Sequence, residues 1–180
     1  MENFCIVVTG LPGSGKTTIG NIVAEKFDVP LLDKDDYLER LFEERGIGDL
    51  AWRQKLSRES DALFQRDARG RKTAVLVSHW RPRGLDSTSG TPVEWLDSHY
   101  GHVIELFCRC SVEEAAKRFM NRVRHPGHRD GLKSREEIVA WMHSYDKLLP
   151  LTLGALEVVE TDSGQGADDM IGGLSGYIQR

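Results

Sequence analysis

No stretch of the 180-residue sequence approaches the roughly 18 consecutive apolar residues of a membrane-spanning helix. Cysteine is scarce. Cys5, Cys108 and Cys110 form an odd set without the spacing of a disulfide framework or a zinc site. Met1-Glu2-Asn3 lacks the basic start and apolar run of a secretory signal. Reduced thiols in a cytoplasmic protein are therefore expected. An excess of positive charge is also missing. With 24 Lys+Arg against 28 Asp+Glu the net charge is −4, which argues against coating duplex nucleic acid or an anionic membrane through bulk charge. Composition does not suggest disorder, because 39% of residues are hydrophobic and there are four Trp and six Phe.

The net charge conceals two opposed segments. Glu25–Asp49 holds nine acidic and four basic residues, and Arg109–Arg135 holds eight basic and three acidic. Such runs are often no more than solvated helix faces.

Short apolar runs alternate with stretches of helical period. Strands are predicted at 4–9 (FCIVVT), 29–32 (VPLL), 73–78 (TAVLVS), 103–108 (VIELFC) and 156–160. Helices are predicted over 16–27, over 36–45, through Leu56, Leu63 and Phe64 to about Gly70, from the capping box at Ser111 through Phe119 and Val123, from the capping box at Ser134 through Leu148, and over 167–178. The Pro, Gly, Ser and Thr between Arg81 and Pro92 mark a loop. This alternation predicts one α/β domain spanning 1–180, a parallel sheet with helices on both faces.

Gly10-Leu11-Pro12-Gly13-Ser14-Gly15-Lys16-Thr17 matches G-x-x-x-x-G-K-[ST] between a predicted strand and a predicted helix. Glycines let backbone N–H groups turn inward around phosphate, and the helix N-terminus adds positive charge. Residues 10–17, with Thr18, are therefore the expected ATP-binding set. Lys16 would reach the β- and γ-phosphates, and Thr17 would hold Mg²⁺. Asparagine occurs only at 3, 21 and 121, so the N-K-x-D guanine motif of a Ras-type GTPase is absent. The third strand ends in Ser78-His79-Trp80 without the Asp of a motor ATPase.

GLPGSGKTTIGNIVAEKFDVPLLDKDDYLERLF resembles the opening of small P-loop kinases of the shikimate kinase and gluconate kinase group, and is similar to polynucleotide 5′-kinases. The resemblance is specific over Phe4–Phe42. It implies a P-loop three-layer sandwich of strand order 2-3-1-4-5, Asp33 near Mg²⁺ and Asp35 at the acceptor. It also implies a mobile arginine-bearing lid, matched in position by RFMNRVRHPGHRDG at about 118–135. Arg122 and Arg129 are the expected catalytic arginines and Arg118 a nucleotide contact, with Arg124 a further candidate. The residues support the same chemistry, since in-line phosphoryl transfer needs a carboxylate to orient the acceptor and guanidinium groups to stabilise developing charge. Asp36 reads as a helix cap.

The acceptor is expected along segments 33–70 and 79–92. Asp33 and Asp35 lie there, and Trp80 could stack on a sugar or base or serve the core. Arg81 or Arg83 could clamp an anion. SHWRPRG departs from the glycine-rich turn of shikimate kinases at this point. His125 and His128 have poor zinc geometry. The leading expectation is ATP-dependent phosphorylation of a hydroxyl on a small metabolite, sugar acid or antibiotic-like molecule. The alternatives are a polynucleotide 5′-hydroxyl kinase acting on a single-stranded end, and an ATP-binding regulatory or toxin-like protein.

Overall fold

A computed structural model describes residues 3–85, 89–162, 172–174 and 176. Five parallel strands form one sheet: β1 Phe4–Gly10, β2 Leu31–Asp33, β3 Thr73–Val77, β4 His102–Arg109 and β5 Ala155–Glu160. Their order is β2-β3-β1-β4-β5. The register sets Val8 opposite both Val77 and Leu106, and Asp33 opposite Val77. The C-terminal ends of β1, β2 and β3 are thus neighbours, at the edge where open α/β sheets collect ligands.

The helices are α1 Lys16–Phe27, α2 Lys34–Arg45, α3 Leu50–Arg69, α4 Leu96–His99, α5 Val112–Asn121 and α6 Arg135–Asp146. Alternate residues of β1 serve opposite faces of the sheet. Cys5 and Val7 pack with Phe64 of α3, Leu76 and Trp80, whereas Ile6 and Val8 pack with Ile19 and Val23 of α1. A strand buried on both sides explains why FCIVVT shows no polar alternation. Leu11 leaves the phosphate loop and enters a third core between α5 and α6, with Phe119 and Met142.

Glu105, fully buried in β4, accepts hydrogen bonds from Thr9 Oγ1 (2.7 Å), Leu151 N (2.7 Å) and Leu153 N (3.1 Å). One carboxylate thereby ties β1, β4 and the approach to β5 together.

Several boundaries differ from expectation for local reasons. Val29 closes α1 rather than starting β2: Asp28 adopts φ 51° and Val29 N bonds Ala24 O. α5 stops at Asn121 because Arg122 is extended, and Val123 is fully exposed. At Ser134 the capping box is complete. At Ser111 only half of it forms, because Glu114 turns to Arg118 and Lys117 instead. The short helix α4 was not expected. Of the helix expected over 167–178, most lies outside the described residues, and 172–174 form a 3-10 turn. Among the described residues no helix is long and apolar enough to cross a membrane.

Candidate active site

A cleft of about 740 Å³ opens at the C-terminal edge of the sheet. Its floor is the turn from β1 into α1. Gly13 has φ +87°, and a Cβ there would lie 2.3 Å from Ala115 O, so only glycine allows the loop to pass α5 this closely. Gly15, at φ +89°, has open space on its Cβ side. Ser14 N bonds Leu11 O at 3.0 Å, tightening the turn. Lys16 Nζ donates to the carbonyls of Gly10 (3.1 Å) and Leu11 (2.9 Å). Burial lowers its pKa to about 8.

Thr17 Oγ1 donates to Asp33 Oδ2 at 2.7 Å. The other oxygen of Asp33 accepts from Asp35 N at 3.0 Å, capping α2. Burial and the neighbouring Asp35 charge push the Asp33 pKa up to about 6. Burial opposes the Asp35 carboxylate as well, but Arg124, with His128, Lys34 and Arg122, outweighs it and holds the pKa below the usual carboxylate range.

These residues fit Mg²⁺ and a nucleoside triphosphate. The Ser14 hydroxyl is buried without a partner among the described residues, and the first turn of α1 presents amides that no helical carbonyl can satisfy. Thr17 and Asp33 offer the oxygen donors that Mg²⁺ prefers. Among the described residues no cluster of three or more His, Cys, Asp or Glu could hold a metal by itself.

Opposite the phosphate loop the chain from 122 to 130 is pinned across α2 and α3. Arg124 binds Asp35 through Nη2 and Asp130 through Nη1 (2.9 Å), while Arg122 Nη2 reaches the same Asp130 oxygen at 3.2 Å. Nε of Arg122 is buried without a partner among the described residues. Arg129 Nη1 donates to Gly48 O (3.1 Å), and Arg53 Nε donates to His128 O (3.2 Å). His128 Nε2 pairs with Glu39 at 2.7 Å, and His125 stacks on Phe42. The acidic and basic segments of the sequence therefore face one another. Arg118 is fixed by Glu114 (2.9 Å) and Thr161 O (2.9 Å) and also lines the cleft.

Of the residues expected to hold the acceptor, Asp33 and Asp35 line the cleft; Trp80, Arg81 and Arg83 do not. Trp80 is 1% exposed, donates Nε1–H to Val8 O at 2.9 Å and packs on Phe64, so it is a core residue. Arg83 pairs with Asp97 at 2.6 Å on the surface. The third strand points His79 into the cleft instead. Its ring lies against Tyr145 and Trp141, and burial lowers its pKa to about 3, which keeps it neutral.

The sequence reading placed the acceptor along 33–70 but named no site residue of α3, which supplies one whole wall. Leu50, Arg53, Gln54, Ser57 and Arg58 of α3 line the cleft, while Leu56, Ser60, Phe64 and Ala68 form its buried face. The spacing 50/53/54/57/58 is a helical stripe and was the available signal. Buried Lys34, bonded to Ser57 Oγ at 2.9 Å, belongs to the same wall. Among the described residues nine Lys or Arg and three Asp line the cleft.

The fold and this site define a P-loop protein with the strand order of the small P-loop kinases. A family model described as an AAA domain, AAA_33, matches residues 5–148, and the chain belongs to that family. A shikimate kinase of Mycobacterium leprae is 30% identical over 112 residues, covering 62% of this chain and 53% of the relative. A solved protein of Chloroflexus aurantiacus J-10-fl is 23% identical with a TM-score of 0.79, covering 98% of this chain and 99% of the other. A gluconokinase from Sinorhizobium meliloti 1021 is 17% identical with a TM-score of 0.60, covering 98% and 94%. The alignments with this shikimate kinase and with two from Caldicellulosiruptor species span 22% to 53% of those relatives' length. A "putative adenylate kinase" of Thermococcus kodakarensis, 27% identical, is by contrast spanned over 97% of its length.

Proposed function

We propose that the protein is an ATP-dependent kinase that phosphorylates a hydroxyl group of a small anionic molecule. One observation carries the reading: Thr17 and Asp33 at the phosphate loop, and Asp35 two residues further on, open into the same cleft. Bound ATP·Mg²⁺ would supply the transferable γ-phosphoryl group and neutralise part of its charge. Lys16 leaves its loop carbonyls for the phosphates, and Thr17 and Asp33 hold the metal side. Asp35 orients the acceptor hydroxyl and takes its proton. Arg122 and Arg129 close over the site and stabilise charge as it moves to the leaving oxygen, with Arg118 on the nucleotide side.

Charge favours an anionic acceptor. Nine cationic side chains against three carboxylates leave a surplus that ATP·Mg²⁺, with roughly two net negative charges, does not cancel. Arg53, Arg58 and Lys34 on the acceptor side carry part of that surplus. The named kinases among the relatives and neighbours support the reaction class; their names point to shikimate, gluconate and adenylate as their own acceptors, each of which is an anion.

The test is phosphoryl transfer from ATP across sugar acids, sugar phosphates, nucleosides, aminoglycosides and oligonucleotide 5′ ends. With the acceptor so found, Asp35→Asn is expected to lose at least about a hundredfold in kcat. Full transfer by Asp35→Asn would remove Asp35 from the mechanism, and efficient labelling of oligonucleotides alone would replace the small-molecule reading.

A further inference from the structure

Asp35 is placed to orient an incoming hydroxyl, yet in this structure its Oδ2 is already engaged by Arg124. The Arg124 guanidinium spans two carboxylates, Asp35 and Asp130, and its side chain is only 17% exposed. Arg122 reaches the same Asp130 oxygen at 3.2 Å. The segment carrying Arg124 is held down further along by the His128–Glu39 pair, by Arg53 on His128 O and by Gly127 packed on Phe42. A fork held at both ends in this way is pre-organised, which is what a planar guanidinium does better than an ammonium.

We infer that Arg124 makes the enzyme refuse water: it occupies Asp35 until polar groups of a true acceptor displace it. The inference rests on the kinase reading above. Hydrolysis of ATP needs a water oxygen to bond to the γ-phosphorus while the bond from that phosphorus to the β–γ bridging oxygen breaks. The products are ADP, inorganic phosphate and one proton released to solvent. With Arg124 on Oδ2, Asp35 is left with Oδ1 alone to align that water, and the paired carboxylate is a weaker base for its proton.

Water brings nothing that competes for the guanidinium. An acceptor with anionic or multiple hydroxyl groups engages the surrounding cations and spends part of its binding energy opening the pair. The carboxylate is then freed only when the right nucleophile is present. Arg124 is accordingly a specificity-determining residue, and the competitor it excludes is water at 55 M concentration in order of magnitude.

The experiment needs no knowledge of the acceptor. ATP hydrolysis is measured with Mg²⁺ and no other substrate for wild type, Arg124→Met, Arg124→Lys and Arg124→Met/Asp35→Asn. Binding of a nonhydrolysable ATP analogue with Mg²⁺ is measured alongside. Arg124→Met is expected to raise hydrolysis roughly tenfold or more, the worth of one charged hydrogen bond. Arg124→Lys, which keeps the charge but cannot span both carboxylates, gives an intermediate rise and decides the matter if the Met variant fails to fold. The added Asp35→Asn change abolishes the rise, which it would not do if the rise came from a loss of packing alone.

A second readout is independent of turnover. In wild type the ¹⁵N guanidinium resonances of Arg124 are expected to be individually resolved by slowed rotation, and to merge in Asp35→Asn. Unchanged or reduced hydrolysis in both Arg124 variants, with analogue binding intact, overturns the inference, as does freely rotating Arg124 in wild type. Failure of wild type to bind the analogue would instead sink the kinase reading itself.

Discussion

At the scale of single residues, Asp33 does two jobs with its two oxygens. Oδ1 caps α2 and Oδ2 holds Thr17. Its burial raises the pKa to about 6, so in the folded protein the carboxylate is ionised only above that pH. A metal binds the ionised form and must expel a proton below it. Affinity for a nucleotide with Mg²⁺ is therefore expected to fall about tenfold per pH unit below 6 and to be insensitive to this group above 6. Isothermal titration across pH 4.5–7.5 checks this, with Asp33→Asn showing only the titration of the nucleotide itself. Trp80 shows the opposite case. Its residue type suits both a ligand platform and a core, and nothing in the neighbouring sequence says that its Nε1–H finds Val8 O.

Among elements, the arginine-bearing segment is defined by what it lies on. A Cβ at Gly127 would come within 2.4 Å of the Phe42 ring, so close approach of the segment to α2 requires glycine there. Gly127→Ala is expected to cost about 1–3 kcal/mol through overpacking. It should also expose residues 122–133 to faster proteolysis without changing binding of the ATP analogue. Equal protease resistance in the two proteins would show that the segment does not depend on this packing. The helix starts at Ser111 and Ser134, the phosphate loop and the alternation of strands and helices were legible because each is a local pattern, although the capping box is complete only at Ser134. The end of α5 was not. Asn121-Arg122-Val123 continues a helical period, and only the interaction of Arg122 with Asp130 and its position over the Phe119 ring (4.2 Å) show why the chain turns out.

For the whole molecule, Glu105 connects three parts of the fold from a fully buried position. Its replacement by Ala leaves the Thr9 hydroxyl and the N–H groups of Leu151 and Leu153 without partners. A loss of about 3–5 kcal/mol is expected, measured as a shift of the denaturant midpoint at unchanged slope. A loss under about 1 kcal/mol would mean that these donors find other partners.

The sequence by itself determined the alternation of parallel strands and helices, the phosphate loop and the carboxylates after β2, because each is a pattern among neighbours in the chain. The strand order came from the resemblance to small P-loop kinases. The sequence also showed acidic and basic segments, but their sum was silent on whether they meet. Only the tertiary structure brought Arg124 onto Asp35 and His128 onto Glu39, 89 residues apart in each pair. It likewise turned the polar stripe of α3 into a cleft wall and sent Trp80 inward. Partner choice between distant side chains follows from how whole elements pack, and no local pattern encodes it.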